Sequence, residues 1–192
     1  WQHHYYRYRQ RDDYNADPNA APPDQPYQPV PHPDPNPLDC NSHGTHVAGT
    51  AAGFGENADG STYTGKYDTS TPFDTMKIGP GVAPQASIYA LKVFGCSGST
   101  NLVSEALDWA LDPNGDGNIS DHLDVVNMSL GSDYGSPQDP DSVAADNAMK
   151  AGVVVVVAAG NGGDLYDVGG SPGNAQRVIG VGIIHHHRKG LS

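Results

Sequence analysis

The sequence predicts an α/β fold built on a doubly wound, mostly parallel sheet. Three observations carry this. Strand-like and helix-like segments alternate after residue 39, which implies right-handed βαβ units. Val153 to Ala159 is an unbroken apolar run, the pattern of a strand buried on both faces. Two polar segments, Asn127 to Gly131 and Ala158 to Gly163, close strands, where doubly wound sheets place their ligands.

The elements follow in order. Residues 1–38 hold nine of the sixteen prolines and, as aliphatics larger than Ala, only Val30 and Leu38, so this arm is expected to be extended or disordered. From Pro29 to Pro37 proline takes every second position, which favours polyproline II. No apolar strand precedes residue 43. His43 to Gly53 reads as a short helix of small residues, and Gly55 to Ala83 as a long loop. Ala86 to Phe94 is strand-like. Asn101 to Leu111 spaces Leu102, Val103, Ala106, Leu107 and Ala110 at helical intervals, with Thr100 as N-cap. Asp124 to Leu130 is a strand and Asp139 to Ala151 a helix ended by Gly152. Arg177 to Ile184 is a further strand.

Composition narrows the function classes. Twenty-two acidic residues face ten basic ones, a formal charge of −12, and such a chain repels phosphate backbones; nucleic acid is not an expected partner. The longest apolar run is about a third of a bilayer crossing, so no membrane span is expected. Trp1 to Arg11 is polar, basic and aromatic, with no signal-peptide core. Two cysteines are too few for a disulfide-built scaffold, though enough for one bridge.

The segment from Asn41 to Thr50 reads N-S-H-G-T-H-V-A-G-T and puts His43 in the first turn of a close-packing helix. A fixed ring with an open face suits a general base; a capping histidine is the plain alternative. His43 and His46 lack the Glu and the spacing of H-E-x-x-H zinc sites. At the strand ends, an Asn161 amide can donate to a developing oxyanion, and an exposed strand at Ser129 to Gly131 can pair with a bound peptide.

With these blocks, joined by G-V-A-P-Q-A-S-I-Y-A-L-K-V-F-G, V-V-N-M-S-L-G and A-A-G-N-G-G in that order, the sequence resembles the subtilisin-like serine proteases from about Leu38 to Gly182. The resemblance implies His43 as catalytic general base and Asn161 as oxyanion-hole donor. It implies Ser129, Leu130 and Gly131 as one wall of the primary specificity pocket, with Ala158, Ala159 and Gly160 opposite. Gly95, Ser97 and Gly98 would belong to the facing strand that holds the substrate backbone. It further implies a disulfide between Cys40 and Cys96, as in some extracellular members, with two separate thiols as the alternative.

Two blocks of the family pattern are absent from the sequence. No Asp followed by Ser or Thr and then Gly precedes His43, and neither Asp12 nor Asp13 has such neighbours. No Gly-Thr-Ser-x-Ala-x-Pro block supplies a nucleophile. The expectation is therefore the middle of a catalytic domain, truncated at both ends: arm 1–38, partial domain 39–184, and a His-rich tail 185–192 that, like Trp1 to Arg11, matches nothing in the family. The parent would be a secreted, monomeric endopeptidase acting on peptides or proteins, inactive as written. The alternative is a pseudoprotease or calcium-dependent peptide-binding module. For calcium, Asp112, Asn114, Asp116, Asn118 and Asp121 follow the D-x-N-x-D-G start of an EF-hand loop, with Leu123 where a bidentate Glu would stand. A solvated turn rich in Asp and Asn is the other reading.

Overall fold

Among the described residues, hydrogen-bonded strands form two three-stranded sheets, one in each of two units, residues 1–102 and 103–192. The computed structural model describes residues 4–9, 28–33, 39, 41–94, 99–163 and 165–182.

In the first unit, β1 (His4–Arg9) lies between β2 (Gln28–Pro33) and β3 (Tyr89–Lys92). It pairs parallel with β3, His4 opposite Tyr89 and Arg7 opposite Lys92, and antiparallel with β2. Both early strands fall in the segment read as a Pro-rich, extended or disordered arm, and β1 is a strand there without being an apolar one. Its tyrosines are good strand formers although it lacks an apolar run. β2 tolerates Pro29, Pro31 and Pro33 because it is outermost, where alternate missing donors can share one edge.

Helix α1 (His43–Ala52) is built from small residues and ends at Gly53, whose N–H bonds Gly49 O at 2.9 Å. A helix end leaves carbonyls without intrahelical partners. Here the chain returns to satisfy them: the N–H groups of Gly81, Val82 and Ala83 bond the carbonyls of Gly53, Thr50 and Ala51 at 2.8, 3.0 and 2.8 Å. Glycine is required at 81, since a methyl group there would stand 2.7 Å from Ala52 N, Gly49 O and Gly53 N. The loop between is fastened by a Lys77–Glu56 ion pair of 2.6 Å and by the Tyr67 hydroxyl donating to Phe54 O at 2.8 Å.

The second unit carries β4 (Val125–Met128), β5 (Val154–Ala158) and β6 (Ile179–Val181), all parallel in that order, with α2 (Val103–Leu111) and α3 (Pro140–Ala151). Asp139 and Pro140 start α3, and Gly152 ends it in the left-handed region at φ 114°. The Thr100 hydroxyl accepts from Leu102 N at 3.1 Å. Met128, Val155 and Val157 pack with Val103, Leu107, Ala145 and Ala148 as the core.

The run Val153 to Ala159 is not buried throughout. Val155 is 0% exposed but Val154 is 40%, and Ile179 and Val181 also stand half open. The reason is that α2 and α3 both pack on the face of Val155 and Val157, and within this unit no described element covers the other. The fold class is α/β, with three of the four strand pairings among the described residues parallel.

Candidate active site

His43 opens α1 and is exposed. It does not cap the helix. The N-cap Ser42 sits at φ 71° and gives no side-chain cap bond, and the task falls to Asp39, which sequence reasoning missed. Its Oδ2 accepts from Thr45 N at 3.0 Å and its Oδ1 from Asn41 N at 2.9 Å. Burial pushes the Asp39 carboxyl up, but the N–H groups of Thr45, Asn41 and Ser42 and the Thr45 side chain outweigh it and hold the group below its ordinary 3.8. A negative charge at the N-terminus of α1 is also favoured by the helix dipole. The His43 ring forms no hydrogen bond with any described residue.

The predicted oxyanion donor and both predicted pocket walls lie in the second unit. Met128 of β4 is in register with Val157 of β5, so the segments that follow, Ser129–Gly131 and Ala158–Gly160, leave neighbouring strands side by side. Asn127 Nδ2 donates to Ser129 Oγ at 3.1 Å. Ser129 and Leu130 are half-buried and Gly131 exposed. Ala158 is half-buried, and Ala159 N bonds Val181 O at 2.8 Å. Asn161 is exposed between Gly160, at φ 108°, and Gly162. The segment after Gly131 is already engaged by its own chain: Ser132 N, Tyr134 N and Gly135 N bond Ser171 O, Val168 O and Gly169 O at 2.9, 3.3 and 3.1 Å.

Beneath this rim lies a polar knot that no periodicity signals. Ser142 of α3, fully buried, shares a 2.8 Å hydrogen bond with Ser171 and donates to Asn174 Oδ1 at 3.0 Å. Asn174 Nδ2 donates to Gly135 O at 2.6 Å. Asp146, also buried, accepts from Arg177 N at 2.7 Å and Gln176 N at 3.2 Å.

The loop singled out for calcium folds around Asp112. Its Oδ1 accepts from Gly115 N and Asp116 N, and its Oδ2 from Gly117 N at 2.8 Å. Asn114 Nδ2 donates to Asp121 Oδ2 at 2.7 Å, and Asn118 Oδ1 accepts from Ser120 N at 3.1 Å. Asp112, Asp116 and Asp121 each bring a carboxylate oxygen within 4.8 Å of the others. Converging oxygen ligands of this kind fit a hard divalent cation. Gly95, Ser97 and Gly98, and both Cys40 and Cys96, lie outside the described residues. Among the described residues no helix is long and apolar enough to cross a membrane.

The family model Peptidase_S8, described as the Subtilase family, matches residues 3–191. That match extends past Leu38 to Gly182 and takes in most of both ends, which carry no motif, correcting their reading as unmatched. Pyrolysin of Pyrococcus furiosus is 37% identical over 163 residues, 75% of this chain and 11% of its own length. Serine protease AprX of Bacillus subtilis is 36% identical over 154 residues, 77% of this chain and 31% of its own. Subtilisin DY of Bacillus licheniformis is 37% identical over 158 residues, 80% of this chain and 47% of its own. The chain thus spans less than half the length of each of these relatives. Among solved structures, sphericase covers 77% of this chain with 42% of its own, at 32% identity and a TM-score of 0.53. A family match over nearly the whole sequence, with a subtilisin-like neighbour of the same α/β build, settles the affiliation: the chain belongs to the subtilase family.

Proposed function

We propose that this chain is the central part of a secreted, monomeric serine endopeptidase catalytic domain that grips an extended peptide at its strand-end rim. The observation that carries the reading is the exposed His43 ring on a first turn held by Asp39, in a chain of the subtilase family. In this reading His43 takes the proton of an attacking serine hydroxyl and returns it to the leaving amine. The Asn161 amide donates to the oxyanion of the tetrahedral intermediate. Ser129–Gly131 and Ala158–Gly160 flank the side chain next to the scissile bond, and Gly95, Ser97 and Gly98 hold its backbone.

The sequence supplies neither the Gly-Thr-Ser serine nor the Asp-Ser/Thr-Gly acid, so these 192 residues hold peptide without cutting it. Asp112, Asp116 and Asp121, with oxygens of Asn114 and Asn118, would hold Ca²⁺, which neutralises the cluster and stiffens the loop. The second reading, a calcium-dependent peptide-binding module without catalysis, draws on that same cluster and on the missing blocks.

The test is the coding sequence on either side of these residues and the longer product it encodes. In-frame D-[ST]-G before and G-T-S after, with hydrolysis of a denatured protein substrate, bear out the protease. His43→Ala should then cost on the order of 10⁶ in kcat, the figure measured on subtilisin itself. Stoichiometric labelling of any serine of the 192-residue chain by a fluorophosphonate probe would overturn the assignment of no nucleophile.

A further inference from the structure

We propose that Asp133 is a specificity-determining residue, selecting a cationic side chain, Lys or Arg, in the peptide position flanked by Ser129–Gly131 and Ala158–Gly160. The proposal rests on the reading of those segments as peptide-holding walls.

Asp133 lies two residues beyond Gly131, and the chain on either side of it is pinned. Ser132 N bonds Ser171 O at 2.9 Å, and Tyr134 N bonds Val168 O at 3.3 Å. Tyr134 takes φ 56°, an uncommon conformation for a bulky residue, which persists only where its surroundings impose it. The backbone of Asp133 is therefore fixed while its side chain is exposed.

That side chain leans over the opposite wall. A methyl group built on Gly160 would stand 3.5 Å from Asp133 Oδ1, and one on Gly162 would stand 3.6 Å from the same oxygen. The carboxylate thus faces the turn that carries Asn161, across backbone that has no side chains at 160 and 162 to screen it. The space stays open for chemical reasons. Gly160 occupies a positive-φ conformation, and a β-carbon at Gly162 would collide with Val168 Cγ2.

Among the described residues of this unit no cation neutralises the group. From Val103 to Gly182 the sequence carries twelve acidic residues and two basic ones, Lys150 and Arg177. Arg177 lies 3.8 Å from Asp146, and Lys150 donates to Asn147 Oδ1. Asp133 makes no hydrogen bond or ion pair with any described residue. An ammonium or guanidinium arriving between the walls would meet a carboxylate with no competing partner among the described residues, in a field already negative. Because the site is exposed, the pair is worth a modest factor, while a glutamate in the same position meets like charge.

The test measures anisotropy of the full 192-residue chain with labelled, capped, alanine-rich octapeptides in low salt. The peptides differ at one central residue: Lys, norleucine or Glu. Norleucine keeps the lysine stem and removes the charge. Lys should bind roughly 3- to 5-fold tighter than norleucine, with Glu weakest. Asp133→Asn should bring the Lys-to-norleucine ratio within about twofold and leave norleucine affinity unchanged. Asp108→Asn, on the exposed side of α2, removes the same net charge and should keep the ratio. Equal Lys and norleucine affinities, or an unchanged ratio in Asp133→Asn, overturn the assignment; an equal loss in both variants overturns it in favour of overall charge. Binding of none of the peptides overturns the peptide-holding reading, and the proposal with it.

Discussion

Asp39 gives the sharpest test of how the histidine turn is held. Its carboxylate accepts from Thr45 N and Asn41 N at 3.0 and 2.9 Å and stands at the positive end of α1. Asp39→Asn keeps one acceptor oxygen and loses the other with the charge, so about 1 kcal/mol is expected at pH 7. Asp39→Ala loses both bonds, for about 2 kcal/mol. The pH dependence fixes the cause. The group's folded pKa lies below its ordinary 3.8, so its stabilisation is complete well above that value and is lost as pH falls through the folded pKa. The wild-type advantage over Asp39→Asn should be full above about pH 5 and close toward zero in stronger acid, where the protonated carboxyl resembles the amide. Urea midpoints across this range measure the gap, and amide exchange at Thr45 reports the first turn locally. A gap that persists undiminished in acid, or Thr45 protection unchanged by Asp39→Ala, would refute the reasoning.

Further outcomes follow from burial, calcium and sulfur. Leu107, 2% exposed in the core, should cost about 3 kcal/mol on truncation to Ala, whereas Val181→Thr on the open sheet face should stay within about 0.5 kcal/mol; urea unfolding compares them. Ca²⁺ at a hundred times its dissociation constant should add about 2.7 kcal/mol, read as a higher melting temperature than in chelator. Asp116→Ala should abolish that shift, and an equal shift in both proteins would leave the loop as a turn. Cys40 and Cys96 should titrate no free thiol in the denatured, unreduced chain, their bridge contributing about 4 kcal/mol in the loop-entropy model; two free thiols would refute it.

Legibility followed how local the cause was. α3 was plain because Asp139, Pro140 and Gly152 punctuate it at the residues where it starts and stops. The core strands were plain because valine fills them. What failed was cover and distance. A continuous valine run could not reveal that both helices pack on one face, because strand composition reports apolarity and not which neighbours arrive. β1 escaped because its partner, Tyr89–Lys92, lies more than eighty residues away and its own sequence is tyrosine and charge. The cap of α1 escaped because the usual signal looks at Ser42, whereas the bond to Thr45 spans six residues from Asp39. Asp133 belongs to no motif, and its place opposite Gly160 exists only once two loops are fastened together.

That fastening separates the chemistry of the rim from its geometry. The two walls are adjacent because Met128 and Val157 are paired in the sheet, and neighbouring strands stand about 4.8 Å apart whatever side chains they carry. Their continuation is fixed by the backbone bonds of Ser132, Tyr134 and Gly135 to the 168–171 segment, itself anchored to α3 through Ser142, Ser171 and Asn174. The anchors are buried or partly buried and mutually satisfied, so losing one costs the desolvation of its partner. The groups proposed for recognition in this unit, Asn161 and Asp133, are exposed and form no hydrogen bond with any described residue. Substitution at an anchor should therefore move stability and peptide affinity together, for every peptide alike. Substitution at Asp133 should move the ranking among peptides and leave the unfolding midpoint in place. Ser142→Ala set beside Asp133→Asn makes that contrast directly, and a Ser142→Ala protein that reorders the peptides at unchanged stability would mean that scaffold and recognition are not separate in this fold.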